Sequence, residues 1–322
     1  AQTVRKPPLL ETVWLDLRQA FRALVKRPLY AAIAVLTLGL GIGSATSMFS
    51  VIDGVLLKRL PYADPGRLVT AWMGYPNRGQ HVNFTDGQYN LWRENNTLFQ
   101  AVAIYNANAF GHGTLTGDGR PERVSVGTAT ASLMDVLGTN PVLGRWFLAE
   151  EEGSEAGSGA PVAVISHDFW TRMFAARHDV LGKTFELDGI NCSVVGVLPE
   201  NFRLRWLTES PLGIREVASK EIWMPLGQSF DCIGCGSSMY QAVGRLRPAV
   251  TYEQATAETL SILESTAFFD DMSVRLVPRE EDETRGLGTP LVILLAATGL
   301  LLLIACGNIA TLSLGEMEGR QQ

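Results

Sequence analysis

The chain has 322 residues, 46% of them hydrophobic, and a formal net charge of −6. That acidity argues against nucleic acid as a main partner, because a phosphate-binding surface needs clustered Lys and Arg. Four cysteines are too few for a disulfide scaffold, and the length allows one to three domains.

Residues 1–12 contain Pro7-Pro8, show no periodicity and read as a loose lead-in. From Val13 the pattern turns helical. Trp14, Leu17, Phe21 and Leu24 share one face, Arg18, Arg22 and Lys26 take the other, and Pro28 fixes the end or a bend. This predicts a basic amphipathic helix lying in a membrane interface. Tyr30 to Ile52 then runs about 23 positions without a charged residue, enough at ~1.5 Å per residue to cross a ~30 Å hydrocarbon core. A second uncharged run, Gly286 to Gly315, lies near the other end. A cleaved signal peptide does not fit the first run, which is too long and carries bulky Met48-Phe49 where small residues are needed.

Charge sets the expected orientation. Six Lys/Arg (Arg5, Lys6, Arg18, Arg22, Lys26, Arg27) face only Glu11 and Asp16 before the first run, whereas 58–287 is net acidic. The positive-inside rule then puts the amino end in the cytoplasm and the middle outside. Gly39, Gly43 and Ser47 repeat every four positions, a small-residue stripe on which another helix can pack closely. The chain begins with Ala1 and stops eight residues beyond Leu314, and it reads as a piece of a longer protein or a processed chain.

The middle opens on a stiff turn, Leu60 to Pro65. Strands are predicted at 67–72, 101–105, 114–116 and 123–126, the last two joined by Gly117-Asp118-Gly119. Thr85 or Asp86 should cap a helix carrying Tyr89, Leu91, Trp92, Leu98 and Phe99. A short helix is expected at 131–137, an acidic Gly/Ser-rich surface loop at 150–160, a buried strand at 161–165 and a helix at 167–174. Lys183–Leu187 and Cys192–Val197 alternate around Asp188-Gly189, a hairpin signature. Strands at 221–224, 239–246 and 273–277 and a helix at 252–263 complete the pattern. Mixed strands and helices with several hairpins mean α+β, not a doubly wound sheet.

Candidate chemistry is sparse. Gly182-Lys183-Thr184 resembles the end of a phosphate loop, but Arg177 stands where a glycine is required and a strand follows. Cys232 and Cys235 form a lone CxxC. A zinc site needs four ligands, and no second pair accompanies it, so a local disulfide in an oxidising compartment competes with two free thiols. His81, His112, His167 and His178 are scattered without a nucleophile, and Glu150–Glu152 read as a solvated run. No catalytic, cofactor or metal residue is expected.

The residues also carry a family resemblance. Asp16-Leu17-Arg18, Arg27-Pro28, Leu38 to Gly43, Phe49 to Ile52 and Leu60-Pro61-Tyr62 mark the first part. Asp135 to Gly138, Pro141 to Arg145, Val164-Ile165-Ser166, Trp170, Leu187-Asp188-Gly189, Val194 to Val197, Ile222 to Leu226, Gly244-Arg245-Leu246 and Asn308-Ile309-Ala310 continue it. In order and spacing the chain resembles the front half of a MacB/FtsX-type permease, the membrane subunit of type VII ABC transporters, including their orphan permeases. The resemblance implies an α+β periplasmic core domain flanked by two transmembrane helices, with a porter-like βαβ part at 66–105 plus 237–280 and an inserted subdomain at 106–236. It implies a cytoplasmic entry helix (1–28), spans at 29–57 and 287–314, a periplasmic segment at 58–286, and the start of a cytoplasmic loop at 315–322. ATP is then bound by a partner ABC ATPase, not by this chain. Further implied partners are a second permease copy or half, a periplasmic adaptor with an outer-membrane factor, and the lipid bilayer of a bacterial inner membrane. The function implied is efflux of peptides, macrolides or lipoproteins. The alternative is an FtsX-like anchored scaffold whose outer domain binds a partner.

Overall fold

The computed structural model of the chain describes residues 28–52, 61–75, 80–106, 111–116, 121–153, 159–202, 204, 220–227, 240–265, 273–284 and 288–318. It divides into two compact units, Arg59–Arg285 and a second made of Ala1–Lys58 with Gly286–Gln322. The first described element is α1 (Pro28–Ile52), in the second unit. The expected amphipathic helix with Trp14, Leu17, Arg18, Phe21, Arg22 and Lys26 lies outside the described residues, as does the Cys232/Cys235 loop.

The Arg59–Arg285 unit has as its first strand β1 (Leu68–Tyr75), with whose end the short β2 (Gln80–Val82) pairs antiparallel. Then come α2 (Asp86–Asn95) and β3 (Phe99–Asn106). Thr85 opens α2 with a capping box: its Oγ1 accepts from the Gln88 amide at 3.2 Å, and Gln88 Oε1 accepts from the Thr85 amide at 2.9 Å. The helix stops at Asn95, earlier than the apolar spacing suggests. Asn96 turns its side-chain amide onto the Trp92 carbonyl at 2.8 Å. A carboxylate from Glu258 takes the amides of Thr97 and Leu98. With the backbone thus diverted, Leu98 leaves the helix and Phe99 begins a strand.

A long excursion follows, through β4 (His112–Thr116), β5 (Glu122–Ala129), α3 (Leu133–Leu137), β6 (Leu143–Gly144), β7 (Val162–Ile165) and α4 (His167–Phe174). It ends with β8 (Thr184–Leu187), β9 (Ile190–Val197) and β10 (Ile222–Pro225). The chain then returns as β11 (Gln241–Leu246), α5 (Tyr252–Glu264), β12 (Ser273–Pro278) and α6 (Arg279–Thr284). Among the described residues twelve strands form one sheet.

That sheet has two parts. The order β3-β11-β1-β12, with β11 antiparallel to both β3 and β1, and β1 antiparallel to β12, is that of two interleaved split β-α-β units. Side chains alternate along β1 as period two requires: Val69, Ala71 and Met73 pack with Trp92 of α2 and Ala255 and Leu263 of α5, while Leu68 points into a different cluster. In the second part, β4, β5, β10, β7, β9 and β8 close into a ring, because β10 pairs with both β5 and β7. Closure removes exposed edges, and the interior fills with Leu115, Ile165, Phe169, Cys192, Val194 and Ile222. β5 belongs to both parts through the Tyr105–Ala129 pairing with β3. At the β8–β9 turn Asp188 and Gly189 both take positive φ (50° and 83°), as a two-residue hairpin of this hand demands. Glu150 is exposed as its composition suggests, but Glu151 and Glu152 are half-buried: Glu151 pairs with Arg145, and Glu152 accepts from the Ala131 amide.

In the other unit, α1 packs against α7 (Gly288–Glu318). Among the described residues, Thr37, Gly41, Ala45 and Met48 of α1 are half-buried, as are Leu291, Leu295, Thr298 and Leu302 of α7, in both cases at helical spacing. A Cβ on Gly41 would come within 2.8 Å of Leu302 Cδ1, so glycine there permits the close approach. Among the described residues no helix is long and apolar enough to cross a membrane.

Candidate functional site

The Arg59–Arg285 unit is entered through the 61–67 turn and left through α6, and both segments are tied to the sheet by guanidinium groups. Arg67 reaches the Leu246 carbonyl with Nε at 2.8 Å and with a terminal nitrogen at 2.7 Å. Tyr252 of α5 donates its hydroxyl to the Gly66 carbonyl at 2.5 Å. Arg245, on β11 and only 4% exposed, donates from Nε to the Val136 carbonyl and from a terminal nitrogen to the Ala63 carbonyl, both at 2.7 Å. Val136 lies in the last turn of α3, whose carbonyls have no helical partner, so one side chain caps that helix and holds the entry turn. Burial pushes the Arg245 guanidinium below its ordinary pKa; the Arg67 charge adds to this and Asp64 opposes it. Gly138 follows α3 at φ 63°, and a Cβ there would lie 2.7 Å from Ala63 Cβ.

On the exit side Arg279, the first residue of α6, is 1% exposed. Its guanidinium donates to Thr70 Oγ1 of β1 at 3.2 Å and to the Tyr105 hydroxyl of β3 at 3.0 Å. It also lies 5.9 Å from the centre of the Tyr105 ring, within cation–π range. Tyr105 in turn donates to Gln241 Oε1 of β11. One turn further along α6, Asp282 accepts from Trp72 Nε1 at 3.1 Å, and both side chains are buried. This small helix therefore carries a cation and an anion pointing into the sheet. Buried charges of this kind are tolerated when their hydrogen bonds are made.

Aromatic side chains extend the arrangement into the ring of strands. Tyr105 meets Trp223 of β10 edge-on, with ring centres 6.4 Å apart. Trp223 touches Phe202 and Trp146, and Phe202 meets Tyr62 of the entry turn at 6.3 Å. Gly127 of β5 makes room: a Cβ there would lie 3.0 Å from the Trp223 ring. Beside the site an open groove of about 410 Å³ runs along Gln100, Ala101, Met134, Asp135 and Gly138 to Asn140.

The residues singled out from the sequence lie elsewhere. Gly39, Gly43 and Ser47 are exposed, and a Cβ on either glycine meets nothing within 4 Å, so the helix pairing seen here uses Gly41 instead. Gly182 and Lys183 lead into β8, as a strand rather than a phosphate loop requires. His167 and His178 flank the Trp170 ring at 5.4 and 5.9 Å, and His112 lies exposed on β4. Among the described residues no three His, Cys, Asp or Glu side chains gather where a metal could bind, and Cys192 and Cys306 are free thiols. Sequence reading passed over Arg279 and Asp282, which sit in the charged run REEDET. The available signal was Arg245, a lone charge in the otherwise uncharged strand QAVGRL.

Several solved structures are similar. A domain assigned to a permease of Porphyromonas gingivalis is 16% identical, covering 67% of this chain and 92% of that one, with a TM-score of 0.48. The periplasmic region of MacB from Actinobacillus actinomycetemcomitans is 16% identical, covering 71% of this chain and 92% of that one, at 0.44. The extracellular domain of the noncanonic ABC-type transporter YknZ from Gram-positive bacteria is 15% identical, covering 65% and 99%, at 0.42. No curated protein matches the chain. The sequence profile described as the MacB-like periplasmic core domain matches residues 31–262, which takes in α1 and the sheet as far as α5. With most of its length inside that match, the chain belongs to the family of MacB-like periplasmic core domains.

Proposed function

We propose that this chain is the amino-terminal portion of a MacB-like ABC permease. In this reading the segments at 29–57 and 287–314, to which α1 and α7 contribute, cross the inner membrane, Arg59–Arg285 works in the periplasm, and the amino end is cytoplasmic. A separate ATPase binds ATP, and its cycle moves the two helices and with them the segments that enter and leave the sheet. The work done outside is efflux of peptides, macrolides or lipoproteins, with a second permease copy or half and an adaptor as further partners.

The observation that carries the reading is the outward surface of the helix pair. Val35, Leu36, Leu40, Ile42 and Phe49 of α1 and Val292, Ile293, Leu300, Leu301 and Leu303 of α7 are all at least half exposed. A surface of that kind in water is an aggregation hazard; in lipid it is the expected one. The hydroxyls of Ser44, Ser50 and Thr298 turn back onto helix carbonyls at 2.9–3.0 Å, so they need no water. Family membership and the basic amino-terminal flank support the same reading.

The test is biochemical. The full-length protein, affinity-purified in mild detergent from its host, should retain an ABC ATPase and raise its ATP hydrolysis. A preparation that neither captures nor stimulates any host ATPase would count against the permease role and leave a passive scaffold.

A further inference from the structure

We propose that Arg279 and Tyr105 form a latch that fixes the ring of strands to the segment by which the chain leaves the sheet. The proposal gives a residue-level route to the coupling suggested above. It rests on that reading only for its biological use, not for its physics.

Four elements meet at one buried phenol. Arg279 of α6 holds the Tyr105 hydroxyl at 3.0 Å, Tyr105 itself is on β3, its hydroxyl donates to Gln241 on β11, and its ring edge rests on Trp223 of β10. The second arm of the guanidinium goes to Thr70 on β1. β10 is the strand whose double pairing closes the ring, so the position of Trp223 is tied to ring geometry. Tyr105 bonds to Arg279 and packs on Trp223, and so joins the two. If α6 moves along its axis, the guanidinium cannot keep both acceptors; where it gives up Tyr105, the phenol keeps only its bond to Gln241 and its ring is freer to turn. Trp223 then loses its edge contact and can shift over Gly127. A second line of contact, Tyr62 to Phe202 to Trp223, brings the entry turn to the same indole. Entry and exit therefore converge on one side chain, which is what a device reading their relative displacement requires. In this arrangement Arg279 is a positioning residue: it acts on the ring through Tyr105.

Spatial adjacency alone does not establish coupling, and a double-mutant cycle does. The cycle uses the full chain in detergent without any ATPase, with Arg279→Met, Trp223→Phe and the double variant. We expect the double variant's unfolding constant to depart by at least about threefold from the product of the single effects. Arg279→Lys, which keeps the charge but not the fork, replaces Arg279→Met if the latter does not fold. In parallel, 5-fluorotryptophan spectra, with the Trp223 line assigned by Trp223→Phe, should show that line moved by Arg279→Met and by Tyr105→Phe. Thr70→Val, which removes only the other arm, should leave it in place. A purely structural arginine gives additive effects and an unmoved line, and either result overturns the latch; so does a line that moves equally in Thr70→Val. Because no ATPase is present, failure here leaves the permease reading standing, and failure of ATPase capture leaves the latch standing.

Discussion

Replacing Arg245 by Met should destabilise the Arg59–Arg285 unit by about 1.5–3 kcal/mol. The size follows from what the side chain holds. Its two hydrogen bonds, each 2.7 Å, end on the carbonyls of Val136 and Ala63, and methionine can satisfy neither. The Val136 carbonyl is buried, and left without a donor it costs about 1–3 kcal/mol; Ala63 is exposed, so its carbonyl can turn to water and adds only about 0.5–1.5 kcal/mol, a gross loss of roughly 1.5–4.5 kcal/mol. Against this, removing a guanidinium whose charged form is already disfavoured by burial and by Arg67 recovers part of the desolvation cost. The net estimate therefore lies in the lower half of the range. Equilibrium urea unfolding followed by tryptophan fluorescence measures it well, because six of the seven tryptophans fall within residues 59–285. With a slope of about 2–3 kcal/mol per molar urea, the midpoint should fall by roughly 0.5–1.5 M. A fall below about 0.3 M, with an unchanged slope, would refute the view that Arg245 pins the entry turn to α3.

Three other predictions use different physics. Burial raises the Glu152 pKa while the Ala131 amide and Arg93 pull it down, so the folded state binds this proton more tightly than the unfolded chain does. Its contribution to stability is thus greatest below the ordinary value of 4.5 and is lost as pH rises through the raised folded value. Glu152→Gln should accordingly raise the urea midpoint at pH 8 and leave it nearly unchanged at pH 4; an equal shift at both would contradict the sign. For Glu151 the sign is opposite, because Arg145 lowers its pKa and the stability it contributes is lost on acidification. Gly41→Leu should speed hydrogen exchange of the α1 amides by forcing α7 away, whereas Gly39→Leu with Gly43→Leu should not. Lost assembly in that double variant, with exchange unchanged, points to a helix outside this chain, and faster exchange there would show that the contacts have been misplaced. Finally, if Cys232 and Cys235 are bridged, denatured protein prepared without reductant will alkylate at two thiols, Cys192 and Cys306; four alkylated thiols would rule the bridge out.

Much of the α+β pattern was legible because its signals are local. Thr85 and Gln88 write a capping box in four residues, Asp188-Gly189 writes a hairpin turn, and Ser166 ahead of HDFWTRMF starts a helix that runs over His167–Phe174. The errors came where distant residues decide. Leu98 and Phe99 keep helical spacing, but Glu258, some 160 positions away, captures the backbone there and ends the pattern. The closure of the ring rests on a parallel pairing between β5 and β10, about a hundred residues apart, for which no periodicity speaks. The charged residues of the site were opaque for a simple reason. Arg279, Asp282 and Arg245 belong to a class that is almost always exposed, and only the fold shows that Thr70, Tyr105, Trp72 and two carbonyls are waiting for them. On α1 several small residues offer competing faces, and it is Leu302 on the partner helix that selects Gly41 over Gly39 and Gly43.

The central claim is that Arg59–Arg285 stands outside the membrane between two crossings, and labelling tests it most directly. A cysteine placed at Ile190, 53% exposed at the β8–β9 turn, in a chain otherwise free of cysteine, reports the side on which the sheet lies. A membrane-impermeant maleimide added to intact spheroplasts should label it fully, with no further gain on lysis. Labelling that appears only after lysis would place the sheet in the cytoplasm and contradict the account.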